Sequence, residues 1–472
     1  MNKPAESSVQ KAVDSIQQRI TDYACGLNFD DLSPEATHAA KLRIIDTLGA
    51  LMGGFFGEPC RIARNLAAQM PNPEGATVIG TRMKTTPDMA AFANATAGRY
   101  VELNDMYHGP GVPNGGHPSD MVTPILAAAE HTQATGRDYL VAVVLGYEIF
   151  LRISDSVQRI PGFDYTNYIC LSTAVAAGKL MGLSPAQISH CVSMAVVPNI
   201  TLYQVRSGHL SMFKAAAAGQ AGRAGVFAAL LARAGMEGPH LPYEGKAGWC
   251  NGVSRKPPFS LPTMGGNGTP FKVQDTMIKP RPACGSTLSS ILAAEKAMPL
   301  LKNIKEIKKV TVEVYLKALR DHATGEHCWN AGSRETADHS IPYVVAATLM
   351  DGTVTPRSFD DAHLWNPDLR DLVNKIEVVE NEEFTKAYER LPVMHHTHIT
   401  IVTSSGERLV VKTGGDKDDL GAPPSDAQIE EKFRGLSEDL LGAKRVSAIL
   451  DRFWHLEDVK DMAAIPPAFV LD

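Results

Sequence analysis

Paired cysteines are missing from this sequence: its seven cysteines, at 25, 60, 170, 191, 250, 284 and 328, are scattered, odd in number and free of any C-x-x-C spacing. That pattern argues against a disulfide framework or an iron–sulfur cage and for a reducing compartment. Long apolar runs are lacking too, so no membrane span is expected. The opening Met1-Asn2-Lys3-Pro4-Ala5-Glu6 is polar and has no apolar centre of a secretory signal, which makes a cytoplasmic protein the expectation. Neither charge sign dominates: 46 Lys and Arg against 52 Asp and Glu leave a formal net charge of -6. Nucleic acid and anionic membrane surfaces are therefore not expected as partners, and cations that hold an anionic ligand must be local. Internal repeats and low-complexity tracts are not found.

What is present is an ordinary globular composition, 44% hydrophobic and 21% charged, in a chain of 472 residues that exceeds one comfortable core. The first half is written as helices. Val9, Val13, Ile16, Ile20 and Tyr23 recur at helical spacing, and Ser33-Pro34-Glu35 joins an N-cap hydroxyl to a first-turn proline and an acid at the positive dipole end. The same starter recurs at Thr86-Pro87-Asp88 and Ser184-Pro185. Alanine runs at 90–97, 127–129, 174–177 and 215–218 suit helices whose axes approach closely.

After the Gly265–Pro270 turn signal the pattern changes. Val310, Val312 and Val314 alternate with polar residues, Ile376 and Val378 do likewise, and 399–411 reads as two strands joined around Ser405-Gly406. Helical stretches at 289–301 and 342–350 are interleaved. Beyond Gly414-Gly415, Ser425 and Gln428 form a capping box ahead of a helical tail. The expected fold is mainly α: a large all-helical domain, 1–268, completed by 416–472 packing back on it, with a smaller α+β domain, 269–415, inserted.

Four stretches carry chemistry. Glu102, Asp105, His108 and His117 lie in a proline- and glycine-broken loop, where they could be acid/base groups, metal ligands or a solvated surface. Lys214 precedes Ala215–Ala218, so its ammonium either snorkels or is held beside an anion. Lys279 and Arg281, on a proline-stiffened segment, suit a carboxylate clamp or an exposed basic turn, whereas Cys284 has no evident base beside it in sequence. In Arg334-Glu335-Thr336-Ala337-Asp338-His339-Ser340-Ile341-Pro342-Tyr343, His339 and Tyr343 would share a face if a helix began early enough, while capping alone explains Asp338 or Ser340.

Taken in order, the loop ending His117-Pro118-Ser119, the Lys214 helix, the Lys279-Pro-Arg-Pro-Ala-Cys segment and the stretch ending Ile341-Pro342-Tyr343 resemble the MmgE/PrpD family along nearly the whole chain. That family includes 2-methylcitrate dehydratase, cis-aconitate decarboxylase and an iminodisuccinate epimerase. The resemblance implies a helical domain with an α+β lid, a cleft between them, a homodimer, small di- or tricarboxylate substrates and no cofactor or metal. With it, Asp105, His117, Lys214 and Tyr343 are the expected catalytic residues, and Glu102, His108, Lys279, Arg281 and His339 the expected substrate-binding residues. Glu102 stands where the decarboxylase branch has aspartate. Asn104 and Met106 replace the ends of an Asp-Asp-Thr motif, Asp164-Tyr165-Thr166 follows Gly162-Phe163 where a histidine is common, and Leu288 replaces another histidine. The Arg334–Ser340 stretch favours dehydration over decarboxylation or epimerisation. A metal-dependent hydrolase using Asp105, His108 and His117, and a non-catalytic polycarboxylate-binding protein, are the alternatives of another class.

Overall fold

The computed structural model describes residues 12–109, 115–157, 160–390, 393–414, 420 and 422–471. The outer part of the expected first helix, the tip of the 101–119 loop and the junction at 415/416 lie outside them.

Helix starts fall where hydroxyl caps and prolines place them. Ser33 accepts from the Ala36 amide at the head of Pro34–Gly54, and Ser184 and Ser425 close capping boxes with Gln187 and Gln428. Thr86 precedes Pro87–Tyr100 without a side-chain cap bond. The first described helix, Ser15–Gly26, is capped by Asp14, so Val13 stays outside it and exposed rather than in the apolar stripe.

The larger core gathers helices from both ends of the chain, from Ile16 to Ile278 and again from Ile429 to Phe469. The tail helices Asp426–Leu441 and Ala443–Trp454 pack on Pro34–Gly54. At the centre lies Phe213–Arg233, against Pro87–Tyr100 and Thr166–Leu180. A Cβ at Gly219 would sit 2.3 Å from Thr96 Oγ1 and one at Gly225 2.6 Å from the Cys170 carbonyl, so the small residues set how closely these axes approach. Phe213–Arg233 is also the only described helix long and apolar enough to cross a membrane by length and composition, a correction to the expectation that no such run occurs, and most of its apolar stretch is buried inside the protein.

A second core spans Ala283 to Leu420 and takes in Met106 and Met277. Its sheet has the order β4-β3-β5-β6, with β3 at Ile307–Val314, β4 at Ile376–Glu380, β5 at Thr397–Thr403 and β6 at Arg408–Thr413, while β1 and β2 form a small separate pair at Pro71–Thr77 and Lys84–Thr85. Strands β3 and β4 are parallel, and the other neighbours are antiparallel. Val310, Val312, Ile399 and Ile401 bury one face against helices Leu288–Ala297 and Ile341–Asp351. Gly406, at φ 86°, makes the β5–β6 turn. The larger core's packing continues through Phe271, Val273 and Ile278, past the Gly265–Pro270 turn.

Candidate active site

Between the two cores lies a cavity of about 420 Å³. Arg99, Glu102, His117, Tyr165 and Arg206 line one wall; Cys284, Ser286, His322 and His339 line the other. The 101–119 loop is fixed on both sides. Met106 and Met277 exchange two backbone hydrogen bonds of 2.8 Å, and Asp105 accepts from the Ser119 amide at 3.0 Å and from the Tyr147 hydroxyl at 2.9 Å.

Glu102 is the electrostatic centre. It follows helix Pro87–Tyr100 in the left-handed region, φ 55°, a conformation costly for a residue with a Cβ and found where a side chain must be aimed. Its carboxylate takes Arg99 Nη2 at 2.8 Å, Lys279 Nζ at 2.7 Å and Lys214 Nζ at 3.1 Å, all buried. Burial opposes ionisation, but Arg99, Lys214 and Lys279 together hold the carboxyl well below its usual range. The ammonium of Lys214 continues to Asp338 Oδ1 at 3.1 Å and His339 Nδ1 at 3.3 Å. Glu102, Asp338 and His339 are also the described groups whose ligand-type atoms lie within 4.8 Å of one another, and the Lys214 ammonium bridges the two carboxylates. A protein cation already pairs with both carboxylates and His339 Nδ1 is committed to Asp338, so the residues do not fit an added metal ion.

Two of the cavity imidazoles, His117 and His339, are set in opposite protonation states. His117 Nδ1 donates to the Asp105 carbonyl at 2.6 Å, which leaves Nε2 as the lone-pair atom, 3.7 Å from Glu102. Burial, with Arg99 and Lys279 nearby, pushes its pKa well below the ordinary value, so His117 is neutral at physiological pH. His339 goes the other way. Burial and Lys214 work against its charge, yet Cys284 and Asp338, the latter in a short hydrogen bond, raise it to about 9.

Tyr165 stands in the segment where a family histidine was expected. Its hydroxyl donates to Asp120 at 2.8 Å and accepts from Arg206 at 2.9 Å and Arg99 at 3.3 Å. Burial lifts the Asp120 carboxyl to about 6 against the pull of both arginines.

Of the residues singled out in sequence, Glu102, His117 and His339 line the cavity, with Lys214, Lys279 and Asp105 directly behind them. Lys279 is turned onto Glu102 and the Ala283 carbonyl rather than into open space. Three others lie elsewhere. Arg281 forks onto Glu295 and reaches Thr353 at 2.9 Å. His108 faces the rings of His395 and Tyr388. Tyr343 donates to the Ser358 carbonyl at 2.7 Å and stacks on Phe359. Ser340 caps the helix that begins at Ile341, so His339 falls outside it and shares no helical face with Tyr343. Asp105, His108 and His117 do not converge as a metal hydrolase requires.

Sequence reasoning missed Arg99, Tyr165, Asp120 and the base beside Cys284. That base is His322, with Nε2 at 3.5 Å from the sulfur, contributed by a helix 38 residues further on.

The fold and cavity define a member of the MmgE/PrpD family: the MmgE/PrpD N-terminal domain matches residues 18–262 and the C-terminal domain residues 282–456, so the chain belongs to that family. It is similar to the cis-aconitate decarboxylase of Homo sapiens, 25% identical over 96% of this chain and 94% of that protein. It is also similar to the mitochondrial 2-methylcitrate dehydratase of Yarrowia lipolytica, 28% identical over 79% and 74%, and to the 2-methylcitrate dehydratase of Escherichia coli, 25% identical over 78% of each chain.

Proposed function

We propose that this protein is a cofactor-independent hydro-lyase that removes water from a small hydroxylated di- or tricarboxylate of the 2-methylcitrate type. The observation that carries the reading is that two imidazoles on the cavity wall, His117 and His339, are held one neutral and one protonated. Dehydration next to a carboxylate needs both: a base for a weakly acidic C–H and an acid for the departing hydroxyl. His117 Nε2 takes the proton and the His339 imidazolium gives one to the leaving oxygen. Arg99 and Arg206 face the charge that develops on the substrate carboxylate. Lys214, Lys279 and Asp105 act as positioning residues, the first two by fixing Glu102 and the third by holding the His117 loop. The homodimer, the cytoplasmic setting, the lack of nucleic-acid or membrane partners, and the division into a helical domain with an α+β lid at 269–415 belong to the same proposal.

The test is NMR in heavy water with 2-methylcitrate, citrate, cis-aconitate and aminated dicarboxylates. A vinyl product with loss of water supports the reading. Release of CO2 from cis-aconitate would replace it with the decarboxylase reading, which the nearly full-length match to the human enzyme favours. Exchange without net product would indicate epimerisation, and silence across the panel a binding protein.

Two further results are expected in that assay. Because His339 acts in its protonated form, kcat should hold through neutral pH and fall as pH rises through about 9. A profile still rising above that point would remove His339 as the acid. Tyr343→Phe should leave turnover within about twofold while lowering stability by about 0.5–1.5 kcal/mol, the loss of one buried hydrogen bond to Ser358. A large fall in kcat without loss of stability would return Tyr343 to the mechanism.

A further inference from the structure

The mechanism above leaves Cys284 unused, and this thiol differs from the other six. Burial pushes the thiols of Cys25, Cys60, Cys170, Cys191, Cys250 and Cys328 up. At Cys284 burial acts in the same direction, but the imidazoles of His322 and His339 outweigh it and hold the thiol well below its ordinary value. The geometry supports the same conclusion independently. His322 Nδ1 donates to the His339 carbonyl at 2.9 Å, which leaves Nε2 as the lone-pair atom, 3.5 Å from the Cys284 sulfur. Nucleophile, base and orienting acceptor thus stand in the order that activates a thiol. Cys284 and His322 both line the cavity whose far wall carries Arg99 and Arg206.

We propose that Cys284, with His322 as its base, is a covalent-modification site that takes small carbon electrophiles carrying a carboxylate, namely α-halo and α,β-unsaturated acids. The S–H proton passes to His322 Nε2 and the sulfur pair forms a bond to carbon. With a halo acid the carbon–halogen pair leaves as halide. With an unsaturated acid the C=C π pair moves to the carbon next to the carboxylate, which then takes a proton from the His322 imidazolium. Neither route needs an oxidant. The arginines of the opposite wall select for the carboxylate, and the adduct fills the cavity and stops turnover. Resting on the dehydration reading, one consequence is that the enzyme's own unsaturated product belongs to the class this thiol captures; the site itself requires no turnover.

The test is alkylation of the full-length protein with iodoacetate or iodoacetamide at about pH 6.5, with each cysteine followed by peptide mass mapping. Cys284 should be carboxymethylated at least about tenfold faster than the exposed Cys25. At Cys284 iodoacetate should outpace the neutral iodoacetamide, with the ratio reversed at Cys25. His322→Gln should slow Cys284 by about tenfold while leaving the Cys25 rate unchanged. Should that variant fail to fold, the wild-type pH profile decides: Cys284 labelling should stay level between about pH 8 and pH 6, where Cys25 labelling falls about tenfold per unit. Equal rates at the two cysteines, a preference for iodoacetamide at Cys284, or a Cys284 rate that falls in step with Cys25 would each overturn the proposal. None of these readings depends on the substrate panel, so failure here and failure of the dehydration reading are separable.

Discussion

His117→Ala should lower kcat by about 10²–10⁴-fold while the protein stays folded. The imidazole faces the cavity with its Nε2 lone pair available, because the Asp105 carbonyl takes the Nδ1 proton. Its removal deletes a ring at the cavity edge rather than in a core, and Asp105 keeps its bonds to Ser119 and Tyr147, so the loop is retained. The check is steady-state kinetics on the substrate found by NMR, alongside a thermal melt. Partial rescue by added imidazole is expected, since the vacated space adjoins the open cavity. Turnover within a few-fold of the parent, with a normal melt, would take His117 out of the reaction.

Glu102→Ala should be the most destabilising single change at the site, by about 3–5 kcal/mol, with activity lost as well. Arg99, Lys214 and Lys279 are buried around one carboxylate, and deleting it leaves like charges confronting each other in a medium that solvates them poorly. Glu102→Gln should recover part of the loss, since its one amide oxygen still accepts from the cations while the charge and the second acceptor are gone. Glu102→Gly would relieve the left-handed backbone but not the repulsion, so it should remain well below the parent. Urea denaturation of the three variants gives the order directly. A loss under about 1 kcal/mol for the alanine variant would mean that the cations escape to water on their own.

The fold was legible where local chemistry decides it. Ser33, Ser184 and Ser425 with their partners mark helix starts, and the alternation at Val310, Val312 and Val314 marks a central strand, because capping and pleating are short-range demands. The same logic explains the failures. Arg281 and Tyr343 sit beside residues that matter, but a stiff turn gives the first to Glu295 and a helix beginning at Ile341 aims the second at Ser358. Arg99 reads as a basic residue in the last turn of a helix, a sufficient local role, and only the left-handed turn at Glu102 makes it a partner in the cluster. Cys284 and His322 meet through the packing of two helix ends, which no local pattern records.

Glu102 comes from a loop of the larger core, Lys279 from the segment leading into the smaller one, and Lys214 reaches across to Asp338. Either core unfolding alone would strand buried charge in the other, a penalty of several kcal/mol that belongs to neither by itself. The two cores are therefore thermodynamically interlocked: the chain should melt in a single cooperative transition despite its length, and Glu102→Ala should split that transition in two as it lowers it.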